Sequence, residues 1–188
     1  MKLNKEHTTI ICISSIYDDC RHAVEIIPEM LERFEQSKNK EQSSMKFVPA
    51  YTTLPMEKGE TNGKTYIHLA EMPKMKMSDA LLYRHHNGID YWMKASQLKC
   101  WNKNIIMCDR ADVDTLRKME GKDIDGWSFD LVTVDVRADK VVHQLTHTPD
   151  YVIHADDKEA LDVIFIKVKM LYSFLSKKNI KKGQEIWL

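Results

Sequence analysis

The sequence is short of the features that most often announce a function. No apolar run approaches the ~20 residues that cross a bilayer, and no membrane partner is expected. The opening residues, MKLNKEHTT, lack the apolar core and small-residue cleavage site of a signal peptide, so a cytoplasmic location is the expectation. An excess of one charge is missing too. The 28 Lys+Arg balance 28 Asp+Glu, which implies no strongly basic face for nucleic acid and leaves small molecules or proteins as partners. With only 6 glycines and 5 prolines, there is no linker and no low-complexity stretch. The four cysteines, Cys12, Cys20, Cys100 and Cys108, fit no CxxC metal spacing and read as free thiols of a reducing compartment.

What is present is an alternation of strands and helices. At 188 residues the chain suffices for one domain of ordinary size with a buried core. Strands are expected at 9–14 (TIICIS), 46–51 (KFVPAY), 64–69 (KTYIHL), 104–108 (NIIMC), 129–136 (FDLVTVDV) and 150–154 (DYVIH). The first and the last three are compact and rich in β-branched residues, as strands buried on both faces are. Helical spacing recurs at 18–36 through Val24, Ile27, Leu31 and Phe34, with Pro28 marking a kink or a restart. A second helix is expected at 112–119 with Asp112 as its N-cap, and a third at 158–176. This order implies an α/β domain with a largely parallel sheet.

Strand, turn and helix at 8–31 (TTIICISSIYDDCRHAVEIIPEML) is how nucleotide-binding domains often open. A phosphate-binding loop needs glycines, so that backbone amides approach the phosphates, and a lysine for the terminal ones. The turn SSIYDDCRHA has neither, and it carries two adjacent aspartates.

Four later blocks resemble guanylate kinases. TTLPMEKGETNGKTY at 52–66 is similar to the segment that opens their GMP-binding subdomain, with Gly59, Glu60, Asn62, Gly63 and Tyr66 at the family's spacing. RHHNGIDYWMKASQL at 84–98 looks like the Gly-Asn-Tyr-Tyr-Gly stretch, with Gly88 and Tyr91 in register. NIIMCDRADVDTLRKM resembles the strand and helix around the family's Asp-x-Asp-x-x-Gly, and DYVIHADDKEALDVI its final strand and helix. The blocks stand in the family's order and cover most of the chain. The resemblance implies a P-loop-type, three-layer α/β domain with a mainly parallel sheet, its core at about 1–47 and 100–188. A small acceptor-binding subdomain would occupy about 48–99.

Placed against that family, the residues that would do chemistry are replaced. The loop glycines become Ser15, Asp18 and Cys20, the lysine becomes Arg21, and the magnesium-holding hydroxyl becomes His22. Asp18 and Asp19 bring two carboxylates to the place of a triphosphate. Two unit charges ~4 Å apart cost roughly 1 kcal/mol in water and ~4 kcal/mol at an effective dielectric of 20. On the acceptor side the two phosphate-clamping arginines align with Leu54 and Glu57, the second reversing the sign of the site. The guanine-reading glutamate aligns with Leu82, and Asp90 replaces the tyrosine before Tyr91. Tyr66 is kept, as is Asp109 of the Asp-x-Asp pair, the other position being Met107. The arginine-rich lid is reduced to RADKVVHQLTHTP, with Arg137 its only arginine.

The resemblance therefore implies a non-catalytic, guanylate-kinase-like protein that works by binding a protein or another ligand. No cofactor and no metal is expected, and nucleotide binding is doubtful. Glu57 and Glu60 suit a basic or neutral peptide better than a phosphopeptide. Two alternatives stay open: a divergent nucleotide kinase or hydrolase using Asp90, Asp109 and nearby histidines, and a homodimer closing over the lidless cleft. His85, His86, Asp90, Asp109 and Asp112 read either as a metal or general-base cluster or as locally hydrogen-bonded side chains, and His143, His147 and His154 likewise.

Overall fold

The run Ile10–Ile13 lies in β1 (Glu6–Ser14), and all four of its side chains are fully buried. A strand covered on both faces has no polar side to alternate with. Ile11 and Ile13 enter one core, closed by α1 (Arg21–Lys38) and α4 (Leu161–Leu175). Ile10 and Cys12 enter a second core on the opposite face, which includes Leu116 of α3 (Arg110–Met119). The result is three layers, with the sheet between helices. This is a computed structural model, and it describes residues 6–15, 20–38, 44–54, 64–66, 79–98, 102–138, 148–177 and 184–186.

Around β1 lie β2 (Met45–Phe47), β7 (Lys103–Met107), β8 (Trp127–Arg137), β9 (Tyr151–His154) and β10 (Gln184–Ile186), in the order β10-β9-β8-β1-β7-β2. Every pairing in this sheet is parallel, so each strand is followed by a crossover. A smaller sheet holds β3 (Ala50–Thr52), β4 (Lys64–Tyr66), β5 (Ala80–His86) and β6 (Ile89–Lys94), in the order β4-β3-β6-β5. Leu81, Leu82 and Met93 of this sheet, and Leu98 of the short α2 (Ala95–Leu98), join the α3-side core.

Several expectations need correction. The stretch 46–51 is two strands in two sheets: β2 pairs with β7, whereas β3 pairs with β6. Pro49 stands between them; it has no N–H to donate to a ladder and breaks the run. The stretch 80–94, assigned no strand by its composition, is the β5–β6 hairpin, turning at Asn87 and Gly88 with φ of 50° and 75°. Helix α1 runs through Pro28, which is buried, without a restart there; residues 18 and 19 of the expected helix lie outside the described residues. The N-cap of α3 is Asp109, not Asp112. Asp109 accepts from the Asp112 amide at 2.9 Å and Asp112 accepts from the Asp109 amide at 3.2 Å, a reciprocal capping box.

The free-thiol reading is corrected for two of the four cysteines. Cys12 and Cys108 are joined as a disulfide, because β1 and β7 are parallel neighbours that bring residues 96 apart in sequence to a Cα separation of 6.0 Å. Cys20 is buried and not disulfide-bonded, and Cys100 lies outside the described residues. No helix among the described residues is long and apolar enough to cross a membrane.

Candidate functional site

In an open parallel sheet, ligands bind beyond the carboxyl ends of the strands, where neighbouring strands send their connections in opposite directions. Here those neighbours are β1, whose chain leaves toward β2 at one edge, and β8, whose chain leaves toward β9 on the other side. A cleft of about 300 Å³ opens at this end of the sheet. Its walls include Ser15 just past β1, Arg21 and Glu25 on α1, Arg84 and Tyr91 on the hairpin, and Asp109 at the start of α3.

The first amides of a helix have no partner within it and attract an anion. At α1 that anion is a side chain of the same chain. Asp157, in the β9–α4 connection, accepts from the His22 amide at 2.8 Å and the Ala23 amide at 3.2 Å. A phosphate seated on these donors would have to displace that carboxylate or lie beside it. Near it, Arg21 faces Glu25 one turn along the helix at 3.7 Å. The Ser15 hydroxyl donates to the Val136 carbonyl at 2.6 Å.

The opposite wall is organised by Arg84. The hairpin register places it across from Tyr91, and its guanidinium lies 5.5 Å from that ring's centroid. It ion-pairs with Asp109 and, through Nε, with Asp112 at 3.2 Å. Asp112 is buried, and burial pushes its carboxyl up to about 6, with Arg84 opposing the shift. Arg137, the arginine of the shortened lid segment, turns back on its own strand to pair with Asp135 at 2.6 Å. Arg21, Arg84 and Arg137 thus each face a carboxylate of this chain.

Asp90 is buried and tied into the hairpin. It accepts from the Tyr83 hydroxyl at 2.7 Å and meets His85 Nδ1 at 2.8 Å, while its amide donates to Thr53 Oγ1 at 2.9 Å. The bonds from Tyr83 and His85 hold its carboxyl below the usual range, and the hydrogen bond to Asp90 raises Tyr83. Asp90 therefore fastens β6 to the end of β3. The five-residue cluster splits in two: His85 pairs with Asp90, whereas Asp109 and Asp112 pair with Arg84. His86 meets the Asn87 side chain at 3.0 Å. Among the described residues no group of three or more His, Cys, Asp or Glu is arranged to hold a metal ion.

The remaining candidate positions are scattered. Cys20 and Leu82 are buried in the two cores, on opposite faces of the main sheet. His22 is exposed on the first turn of α1, and Leu54 is half-buried past β3 with its amide bonded to Thr52 Oγ1. Tyr66 ends β4, where the backbone alone is described. Asp18, Asp19, Glu57, Glu60, His143 and His147 lie outside the described residues, as does most of the segment that replaces the lid.

The architecture has a counterpart among solved structures. The guanylate kinase of Anaplasma phagocytophilum matches 95% of this chain and 91% of its own length, with a TM-score of 0.55 at 10% identity. The fold is guanylate-kinase-like. No protein-family model matches the sequence, and no curated protein matches it. At 10% identity the likeness concerns the fold alone.

Within this guanylate-kinase-like fold, Arg84 and Asp157 escaped the reading of the sequence. Arg84 had a signal: Asn-Gly between two apolar runs marks a two-residue hairpin, and that register sets Arg84 opposite Tyr91. Asp157 lay inside the DYVIHADDKEALDVI block that resembles the family's final strand and helix, but its contact with the α1 amides spans 135 residues and was not legible from the block itself.

Proposed function

We propose that this chain is a non-catalytic, guanylate-kinase-like protein that acts by binding a protein or another ligand at the cleft. The observation that carries this reading is the Asp157 carboxylate on the first amides of α1, the position at which a phosphate loop would hold its ligand. A triphosphate there meets a fixed anion, at a cost of several kcal/mol by the ~4 kcal/mol per charge pair at an effective dielectric of 20. Among the described residues, the arginines that line the cleft and could compensate it, Arg21 and Arg84, already face Glu25, Asp109 and Asp112. Phosphoryl transfer depends on positioning and charge neutralisation by cations and a metal ion, and Arg84, held by Asp109 and Asp112, is committed elsewhere.

A ligand suited to these walls offers both a cation and an anion, or neither, and carries an apolar or aromatic group for the Tyr91 side. A peptide segment meets that description. The test of turnover is a coupled ADP-release assay with ATP–Mg²⁺ and GMP or dGMP. No acceptor-dependent ADP is expected. ADP production that disappears in Arg21→Ala would overturn the proposal.

A further inference from the structure

Cys108, the residue after β7, lines the cleft beside Asp109, and its sulfur is bonded to that of Cys12 on β1. The bond does not make up for a deficient core. Cross-links of that kind belong to small domains that bury too little apolar surface. Here β1 and β7 already pair in parallel from Thr9 and Lys103 to Ile13 and Met107, and the Cys108 amide donates to the Ile13 carbonyl at 2.9 Å. Both cysteines belong to the core that also holds Ile10, Ile106 and Leu116. The strands keep this ladder and this core whether the two sulfurs are joined or apart.

The two cysteines differ in access. Cys12 is fully buried, whereas Cys108 keeps 8% of its surface exposed and borders the cleft. Thiol–disulfide exchange requires that an attacking thiolate reach one of the two sulfurs. From the cleft that sulfur is Cys108 Sγ, which makes Cys12 the leaving group. Cys20 lies in the core on the other face of the sheet.

We propose that Cys12–Cys108 is a redox-active disulfide, opened from the cleft by a small thiol of the class of a cysteine-containing tripeptide. The incoming thiolate attacks Cys108 Sγ. A new S–S bond forms there as the Cys12–Cys108 bond breaks, and Cys12 leaves as a thiolate that takes up the proton the incoming thiol released. A second small thiol displaces Cys108 from the mixed disulfide in the same way. Two small thiols are thereby oxidised to their disulfide, and the protein disulfide is reduced to two thiols. A cleft of about 300 Å³ is of the size that takes small molecules. The state of the bond reaches the cleft wall through one peptide unit, because Asp109 follows Cys108, caps α3 and pairs with Arg84. Opening the disulfide releases residue 108 from the side chain of β1 and loosens that cap. The proposal concerns the cysteines alone and stands whether or not the cleft also binds a peptide.

The full chain, equilibrated with oxidised glutathione and digested without reductant, should yield the Cys12 and Cys108 peptides linked. Oxidised glutathione offered to Cys12→Ser should form a mixed disulfide on Cys108 about tenfold faster than it forms one on Cys12 in Cys108→Ser, because only Cys108 is reached from the cleft. Reduction of the parent should quicken hydrogen exchange at the Asp112 amide, which donates to the Asp109 cap, about tenfold. Circular dichroism ensures that folded variants are compared. If either variant does not fold, pulse alkylation of the reduced parent should label Cys108 before Cys12 by the same margin. Absence of the linked peptides, equal modification of the two cysteines, or Asp112 exchange indifferent to reduction would each overturn the proposal.

Discussion

Asp157 sits between β9 and α4, yet its carboxylate satisfies amides of α1 that lie 135 and 134 residues earlier in the chain. A side-chain cap at a helix N-terminus contributes about 1 kcal/mol. Asp157→Ala should therefore lower the free energy of unfolding by ~0.5–2 kcal/mol in urea titration, and a variant as stable as the parent would mean that another group serves those amides. Asp112 acts with the opposite sign. Its folded pKa, about 6, lies above the 3.8 of the free side chain, so the folded chain holds a proton that the unfolded chain has already released. Stability contributed at low pH is lost as pH rises from about 4 through about 6 and is level above that. The groups facing it are Arg84 and Asp109. Melting curves from acid to neutral pH should show the parent losing on the order of 2 kcal/mol across this window relative to Asp112→Asn, whereas parallel curves for the two would contradict the assignment. Sequence reasoning reached the vicinity of these residues but not their partners. A carboxylate that caps a helix from across the fold leaves no local pattern, and Leu82 and Cys20 show the converse, positions taken from a resemblance whose side chains are buried in the cores.

The β5–β6 hairpin carries Arg84 and Tyr91 into the cleft, and its register depends on a two-residue turn with both φ values positive. A turn of that kind matches the right-handed twist of the strands and favours Asn-Gly. Gly88→Ala forces a Cβ into the left-handed region and should cost roughly 1 kcal/mol, since an L-residue there pays about 1–2 kcal/mol. If the hairpin also positions Arg84, the variant should lose the stacking of its guanidinium on Tyr91, read by tyrosine fluorescence or by NMR of the ring. A variant with unchanged stability would show that the turn does not set the register. At this scale legibility followed covering. Strands β1, β7, β8 and β9 are apolar on both sides and stood out, whereas β5 and β6 hold Arg84, His85, His86 and Asp90 and did not. Pro49 was visible in the sequence, but that its two sides belong to different sheets is a property of pairing, which composition does not encode.

For the whole molecule, four weak blocks in the right order sufficed for the fold, which the match over 95% of the chain to a guanylate kinase bears out. Order is informative because each parallel strand must be followed by a crossover, so few topologies fit a given succession of strands and helices. Function is a different matter, since a fold of this kind hosts chemistry only through its site. Within the site, the charges that a nucleotide would need face charges of the chain itself, at Arg21, Arg84 and the first amides of α1. The central proposal is that this pairing among the described residues disfavours a phosphate at the cleft. Isothermal titration of the purified chain with ATP–Mg²⁺, followed by GMP, tests it most directly. The account predicts no saturable heat up to about 1 mM ligand, a limit of roughly 4 kcal/mol of binding free energy. A dissociation constant in the micromolar range, weakened by Arg21→Ala, would contradict it.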